Sequence, residues 1–260
     1  MGIGEAIKKG FSITTQSWNL VLALFVFGAI WNIISIFINP TPGATPDAAA
    51  TVKIVAVGLV FIVVSIFVQA GSLGFICEKV KQGSANFSKF FELGGKYYLR
   101  IFLLGLLIAL IAGGLILLAA LAIAALQGTL NVLGIVLGLL LAALGIYLAL
   151  LFFLAPYAIV ADNEKTIAAV KKSVALVRRN MPRLLGILLI LVLIGFGIGI
   201  VLGIGFAALS AAAPGQAAQI AFGIVSSFVN AFLGVVVTGS FMAFYLSITN
   251  NSDANTDGAK

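Results

Sequence analysis

Apolar residues run along this chain in long unbroken stretches, and charge is confined to the gaps between them. No Asp, Glu, Lys or Arg occurs in residues 10–46, 54–77, 101–161 or 184–252. A helix that crosses a bilayer needs about 20 mostly apolar residues. The first stretch therefore holds one span, residues 19–38, and the second holds another, residues 54–76. The third is too long for one helix and carries a turn signal in its middle, Gln127-Gly128-Thr129-Leu130-Asn131. It predicts spans over 101–126 and 132–155. The fourth breaks around Pro214-Gly215 and predicts spans over 184–209 and 219–248. Transmembrane strands would alternate apolar and polar residues, and these runs do not. The expectation is an all-α polytopic membrane protein with six transmembrane helices. Residues 1–250 would form a single transmembrane domain, followed by a polar, disordered tail over 251–260.

The cations test the count of six. Of the 15 Lys and Arg, only Lys53 falls in a connection that follows an odd-numbered span. The others lie before the first span, in the connections after even-numbered spans, and at the last residue. Lys and Arg accumulate in cytoplasmic loops, so both termini are expected in the cytoplasm. An odd number of spans would destroy the pattern.

Three segments ahead of the odd-numbered spans read as basic amphipathic helices in the cytoplasmic interface. The first has Ile3, Ile7 and Phe11 on one face, opposite Glu5, Lys8 and Lys9. The second, 86–100, has Phe87, Phe90, Phe91, Gly94, Tyr97 and Tyr98 opposite Ser88, Lys89, Glu92, Lys96 and Arg100. The third, 166–181, has Ile167, Val170, Val174, Val177 and Met181 opposite Lys171, Lys172, Arg178 and Arg179. Ser84 or Asn86, and Asp162 or Thr166, are candidate N-caps.

Short matches in letters suggest that the unit repeats. Ala6-Ile7-Lys8-Lys9-Gly10-Phe11 resembles Ala169-Val170-Lys171-Lys172-Ser173-Val174, and Gly71-Ser72-Leu73-Gly74-Phe75 resembles the run from Gly239 to Phe244. The two offsets are nearly equal. The reading is three copies of one hairpin, each preceded by an interfacial helix and related by rotation about the membrane normal. The middle copy departs from the letters, with Leu154-Ala155-Pro156 where Gly-Ser is expected.

Composition agrees with this picture and removes most chemistry. Hydrophobic residues make up 62% and charged residues 9%, against about 45–50% and 25% in soluble domains. Disorder would need the reverse balance. The absence of histidine excludes His-based acid–base catalysis, the usual nucleophilic triads and most zinc sites. A lone cysteine, Cys77, excludes an internal disulfide. No phosphate loop, dinucleotide fingerprint, metal-ligand cluster or paired-carboxylate motif occurs, so no catalytic residue, metal or cofactor is expected. The net charge of +7 is compatible with nucleic acid. Its confinement to span ends argues for anionic membrane lipid instead.

Two sets of candidate functional residues follow. Lys8, Lys9, Lys89, Lys96, Arg100, Lys171, Lys172, Arg178, Arg179 and Arg183 would crowd one face of the bilayer. They either dock anionic headgroups or a cytoplasmic or membrane protein partner, or they set topology and snorkel. Asn32, Gln69 and Asn230 lie inside spans. They either line a cavity or make interhelical hydrogen bonds. Gly134/Gly138/Ala142 and Gly195/Gly199/Gly203 form small-residue ladders suited to close helix approach. The spans contain no carboxylate or amine, which disfavours proton-coupled transport.

The run from Ala155 to Leu189, APYAIVADNEKTIAAVKKSVALVRRNMPRLLGILL, resembles the six-helix membrane domain of some prokaryotic glycerophosphodiester phosphodiesterases and related integral membrane proteins. The resemblance implies the fold and a prokaryotic cytoplasmic-membrane location. In those enzymes catalysis belongs to a separate soluble barrel with histidine and acidic metal ligands. This chain has no histidine, so no catalytic residue transfers. The functional expectation is a non-enzymatic scaffold or lipid-interacting module. The alternative is a permease or channel for a small apolar or neutral solute.

Overall fold

In the computed structural model of the chain, the described residues are 1–38, 47–126, 131–212 and 215–257. Pro40, Pro42, Pro46, most of the turn after residue 126, and Pro214 lie outside them. Among the described residues there are eight α-helices and no strand. They are α1 (Ile3–Thr15), α2 (Trp18–Ile38), α3 (Ala48–Gln82), α4 (Phe90–Ala125), α5 (Asn131–Phe152), α6 (Ala155–Ala161), α7 (Thr166–Ala212) and α8 (Gln216–Asp257). Six helical segments are long and apolar enough to cross a membrane, the arrangement of a multi-pass membrane protein.

The helices overrun the spans read from sequence. α3 has 35 residues and is about 52 Å long at 1.5 Å per residue, against a hydrocarbon core of about 30 Å. Hydropathy marks where lipid begins and ends, whereas caps mark where a helix stops. The Asp47 carboxylate accepts from Ala50 N at 2.6 Å. At the other end Gly83 takes φ +74° and donates to Lys79 O, a left-handed C-cap that glycine adopts without a Cβ clash. α8 likewise continues through the polar residues after Asn250 to Asp257; residues 258–260 lie outside the described set.

In α2 and α3, burial is concentrated near one end. In α3 only Ala70–Cys77 are buried, and in α2 only Leu20 and Val21. The middle of α3, from Val52 to Val64, is largely exposed. In water such a surface would be untenable. In a bilayer, lipid covers it.

The chain divides into two compact units, residues 1–96 with 182–260, and residues 97–181. In the first, α8 is the central helix and packs mainly on α1 and α2. Gly10 makes the α1 approach: a Cβ there would overlap Ser240 Oγ and lie 2.6 Å from Val236 O. Trp18 stacks on Phe228 with centroids 6.3 Å apart, and Phe25 meets Phe228 edge-on at 5.7 Å. Between α2 and α3, Trp31 stacks on Phe61. The start of α4 fits against α3 through Gly71 and Gly74, where a Cβ would come within 2.9 Å of Phe90 and 2.8 Å of Leu93.

In the second unit, α4 and α5 pair along small residues. A Cβ on Gly134 would be 3.3 Å from Ile123 Cα, and one on Gly138 would be 3.3 Å from Ile123 Cδ1. This ladder is a packing seam. The Gly195/Gly199/Gly203 ladder of α7 is not, since a Cβ at those positions would meet nothing within 4 Å among the described residues. α5 stops at Phe152 and α6 starts at Ala155, with Pro156 in its first turn, where the missing N–H costs nothing. The buried Ser173 Oγ accepts from Leu154 N at 3.1 Å and donates to Leu151 O at 2.6 Å, which satisfies the backbone at the break.

The expected interfacial segments take particular forms. Residues 86–100 hold a 3₁₀ turn, Phe87–Lys89, capped by Asn86 accepting from Ser88 N, and then run straight into α4. Residues 166–181 open α7, with non-helical dihedrals at Asn180 (φ −125°, ψ 19°) just before Pro182. Asn180 Nδ2 donates to Leu176 O, and the proline supplies the reason for the kink. Thr166 is not an N-cap. Its hydroxyl donates to Arg100 O.

The buried faces match the stripes read in sequence in part, at Ile7, Phe90, Gly94, Tyr97 and Val177. α1 buries Ala6, Ile7, Gly10, Ile13 and Thr14. The start of α4 buries Phe90, Leu93, Gly94 and Tyr97, while Phe91 is 69% exposed. The start of α7 buries Ala169, Ser173, Leu176 and Val177, while Ile167 is 58% exposed. Small and large residues interlock at these contacts, with Phe90 against Gly71, Leu93 against Gly74 and Phe67 against Gly94.

Candidate functional site

Most of the predicted cations are exposed. Lys8 and Lys9 lie on the outer side of α1, Lys96 on the first turns of α4, and Lys171, Arg178, Arg179 and Arg183 on α7. Lys89 is half-exposed and reaches Glu78 at 3.8 Å. Two cations are committed to the fold. Arg100 Nη1 donates to Asn163 Oδ1 at 2.7 Å and to Asn163 O at 2.9 Å. Lys172 Nζ lies 2.8 Å from Asp162 Oδ2. Together they grip the turn from Asp162 to Lys165, where Asn163 takes φ +57°, a left-handed conformation that asparagine tolerates better than most residues. Their use as docking groups is correspondingly reduced.

The three intramembrane polar candidates have separate environments. Asn32 Nδ2 donates to Ser227 Oγ at 2.6 Å and to Gly28 O at 3.1 Å, and Ser227 Oγ in turn donates to Gly223 O. Asn32 is thus an interhelical tie between α2 and α8. Gln69 and Asn230 are exposed. None of the three lines the grooves described below. Such a tie is worth about 0.6 kcal/mol and at most about 1.7. Asn32→Leu should therefore leave the fold intact and lower thermal stability only slightly in detergent; unfolding of the variant during purification would contradict this.

Among the described residues, each unit holds an apolar groove. The groove between α4 and α5, about 350 Å³, is lined by residues such as Ile111, Leu115, Gly138 and Phe152 and has almost no polar surface. The groove between α2 and α3, about 680 Å³, is lined by Leu22, Val26, Val64 and Val68, with Phe67, Phe90 and Phe91 also along it. It continues into a second cavity of about 670 Å³ that shares Asn19, Phe87 and Phe91 with it. This mouth is lined also by Ser84, Asn86 and Ser88, and polar atoms supply about half its surface. Each volume lies within the range of about 300–1,000 Å³ usual for small-molecule sites. Sequence reading missed the mouth because its residues are neutral and come from α2 and from the α3–α4 connection. Only folding brings them together.

Residues 1–248 match a family described as a domain of unknown function, DUF7847. The chain belongs to the DUF7847 family. No curated protein and no solved structure matches it. The DUF7847 match takes in α1 to α7 and most of α8, so both grooves and every candidate residue named above lie inside it.

Proposed function

We propose that this DUF7847 protein is a non-enzymatic module of a prokaryotic cytoplasmic membrane, with both termini in the cytoplasm, that engages anionic lipid headgroups through its basic span ends. The observation that carries this reading is the exposure of Lys8, Lys9, Lys171, Arg178, Arg179 and Arg183 at the ends of helices whose apolar middles carry no charge. Each basic residue near an anionic surface contributes roughly 1 kcal/mol, falling off within a Debye length. The same surface suits a scaffold that docks an acidic protein partner.

The internal repeat has support from three similar junctions. Gly10 of α1 meets Ser240 of α8, Phe90 and Leu93 of α4 meet Gly71 and Gly74 of α3, and Ser173 of α7 meets Leu151 and Leu154 around the α5–α6 break. Gly10 and Ser173 stand at the offset marked by the sequence matches. In each junction the segment entering one hairpin packs on the returning helix of a hairpin.

The test is lipid enrichment around the full chain. Protein reconstituted with mixed phosphatidylglycerol and phosphatidylcholine is re-extracted, and the lipid retained is counted by mass spectrometry. Reversing Lys171, Arg178 and Arg179 to glutamate, with Lys172 kept because it holds Asp162, should remove most of the preference for phosphatidylglycerol. The native preference should also shrink at high salt. Unchanged retention in the triple variant would sink the headgroup reading.

A further inference from the structure

The α2–α3 groove and its mouth differ from the α4–α5 groove in one respect that bears on function. The α4–α5 groove is apolar from end to end, which suits any neighbouring lipid tail equally. The α2–α3 groove is apolar along Leu22, Val26, Val64 and Val68, then passes between Phe87 and Phe91 into a chamber edged by Asn19, Ser84, Asn86 and Ser88. Polarity therefore changes along its length as it does along a lipid, from tail to head. The change falls where the chain itself turns from apolar to charged. Residues 54–77 carry no charge, and Glu78, Lys79, Lys81 and Lys89 follow at once.

Aromatic rings cluster where the groove meets its mouth. Phe87 stacks on Phe90 at 5.4 Å, Phe90 meets Phe91 edge-on at 5.6 Å, and Phe67 lies 6.1 Å from Phe91. Phe91 is strongly exposed although it borders both chambers. A large apolar side chain at a polar boundary is explained when an amphiphile lies against it. Amide and hydroxyl groups of Asn19, Ser84 and Ser88 can donate to phosphate oxygens. Lys79, Lys81 and Lys89 outnumber Glu78 and Glu92 in the adjoining segments, which favours an anionic head over a cationic one.

We propose that this composite site seats one anionic glycerophospholipid drawn from the surrounding bilayer, with an acyl chain in the α2–α3 groove and its phosphate at Asn19 and Ser84. The proposal rests on the reading of the chain as a lipid-engaging membrane protein and names a specific seat within it. A seated lipid differs from the bulk enrichment proposed above. It is held by shape and hydrogen bonds, so it should resist salt and should not depend on the α7 cations.

The probe is phosphatidylglycerol carrying a photoreactive group midway along one acyl chain, incorporated with the full-length protein into phosphatidylcholine nanodiscs. Crosslinks mapped by mass spectrometry should concentrate on Leu22–Val26 and Val64–Val68. They should exceed those at Leu59 and Val60, which are exposed on α3 outside the groove. Leu22→Trp should abolish the concentration by filling the groove, and Leu59→Trp should leave it unchanged. The pair Asn19→Ala with Ser84→Ala, which leaves the groove walls intact, should lower phosphatidylglycerol retention at that seat by about tenfold, from two lost hydrogen bonds. Labelling spread evenly over the exposed faces of α2 and α3, or unaffected by both the tryptophan and the double alanine variants, overturns the seat. The Lys171/Arg178/Arg179 reversal separates the two proposals. If it removes bulk enrichment while groove labelling stays even, only the seat fails. If groove labelling is concentrated and bulk enrichment is insensitive to it, only the headgroup surface fails.

Discussion

Gly10→Leu is expected to cost the protein about 3 kcal/mol and to detach α1 from α8. A Cβ at this position would overlap Ser240 Oγ and would sit 2.6 Å from Val236 O and 2.9 Å from Ser240 N. Two of those three atoms are backbone, so no side-chain rotation relieves them. Overpacking of a tight contact typically costs 1–3 kcal/mol, and an immovable neighbour puts this site at the upper end. Alanine at the same position separates competing effects. In a helix interior, alanine is favoured over glycine by about 1 kcal/mol. At Gly10 the overlap should outweigh that gain, so Gly10→Ala should lower the unfolding temperature in detergent. At Gly95, within α4, a Cβ meets nothing within 4 Å, so Gly95→Ala should raise it. Ser240→Ala should restore part of what Gly10→Ala loses, because it removes the hydroxyl and leaves the backbone in place. A drop of similar size at both glycines would show that propensity and space do not govern this helix pair.

Gly10 also explains what could be read from the sequence and what could not. The six apolar runs were visible because lipid imposes a length and forbids charge, and both are properties of single segments. The helix ends were not visible. α3 starts at a cap made by Asp47 and ends at one made by Gly83, and both lie beyond the apolar run. The inner faces were legible only in part, since Ile7, Phe90, Gly94, Tyr97 and Val177 are buried and Phe91 and Ile167 are not. Large apolar residues are the usual sign of a buried face in water. In a chain whose outer surface meets lipid they carry no such sign. Phe91 and Ile167 point outward, while Gly10, Gly94, Ala169 and Ser173 face neighbouring helices. Association in lipid is driven by close packing, which favours small residues. The cations were legible as a set, yet nothing in their spacing marked Arg100 and Lys172 as the pair that holds the Asp162–Lys165 turn. Those partners lie across a helix hairpin. The α2–α3 seat was hidden in the same way, since Asn19 and Ser84 are far apart along the chain.

Ser173→Ala should be as damaging as Gly10→Leu, although it removes one oxygen. The side chain is fully buried, and its Oγ both donates to Leu151 O and accepts from Leu154 N. Those two backbone groups flank the break between α5 and α6. Without the hydroxyl each would be left buried and unpaired, at about 1–3 kcal/mol apiece, so the change should cost about 2–6 kcal/mol. If the serine were mere filling, alanine would be neutral or slightly stabilising, because burying a hydroxyl without need is unfavourable. The sign of the stability change therefore decides between a structural tie and a filler. Hydrogen exchange localises it: the Leu154 amide should lose protection in the variant while amides in the middle of α5 keep theirs. Consequences should reach the basic end of the same unit. α6 is nearly all buried and leads into the turn held by Arg100 and Lys172. Loosening the break should free that turn, and exchange at Asn163 and Glu164 should rise with exchange at Leu154. Faster exchange at Leu154 alone would mean that the two ends of α6 respond independently, and that Ser173 holds only the local break.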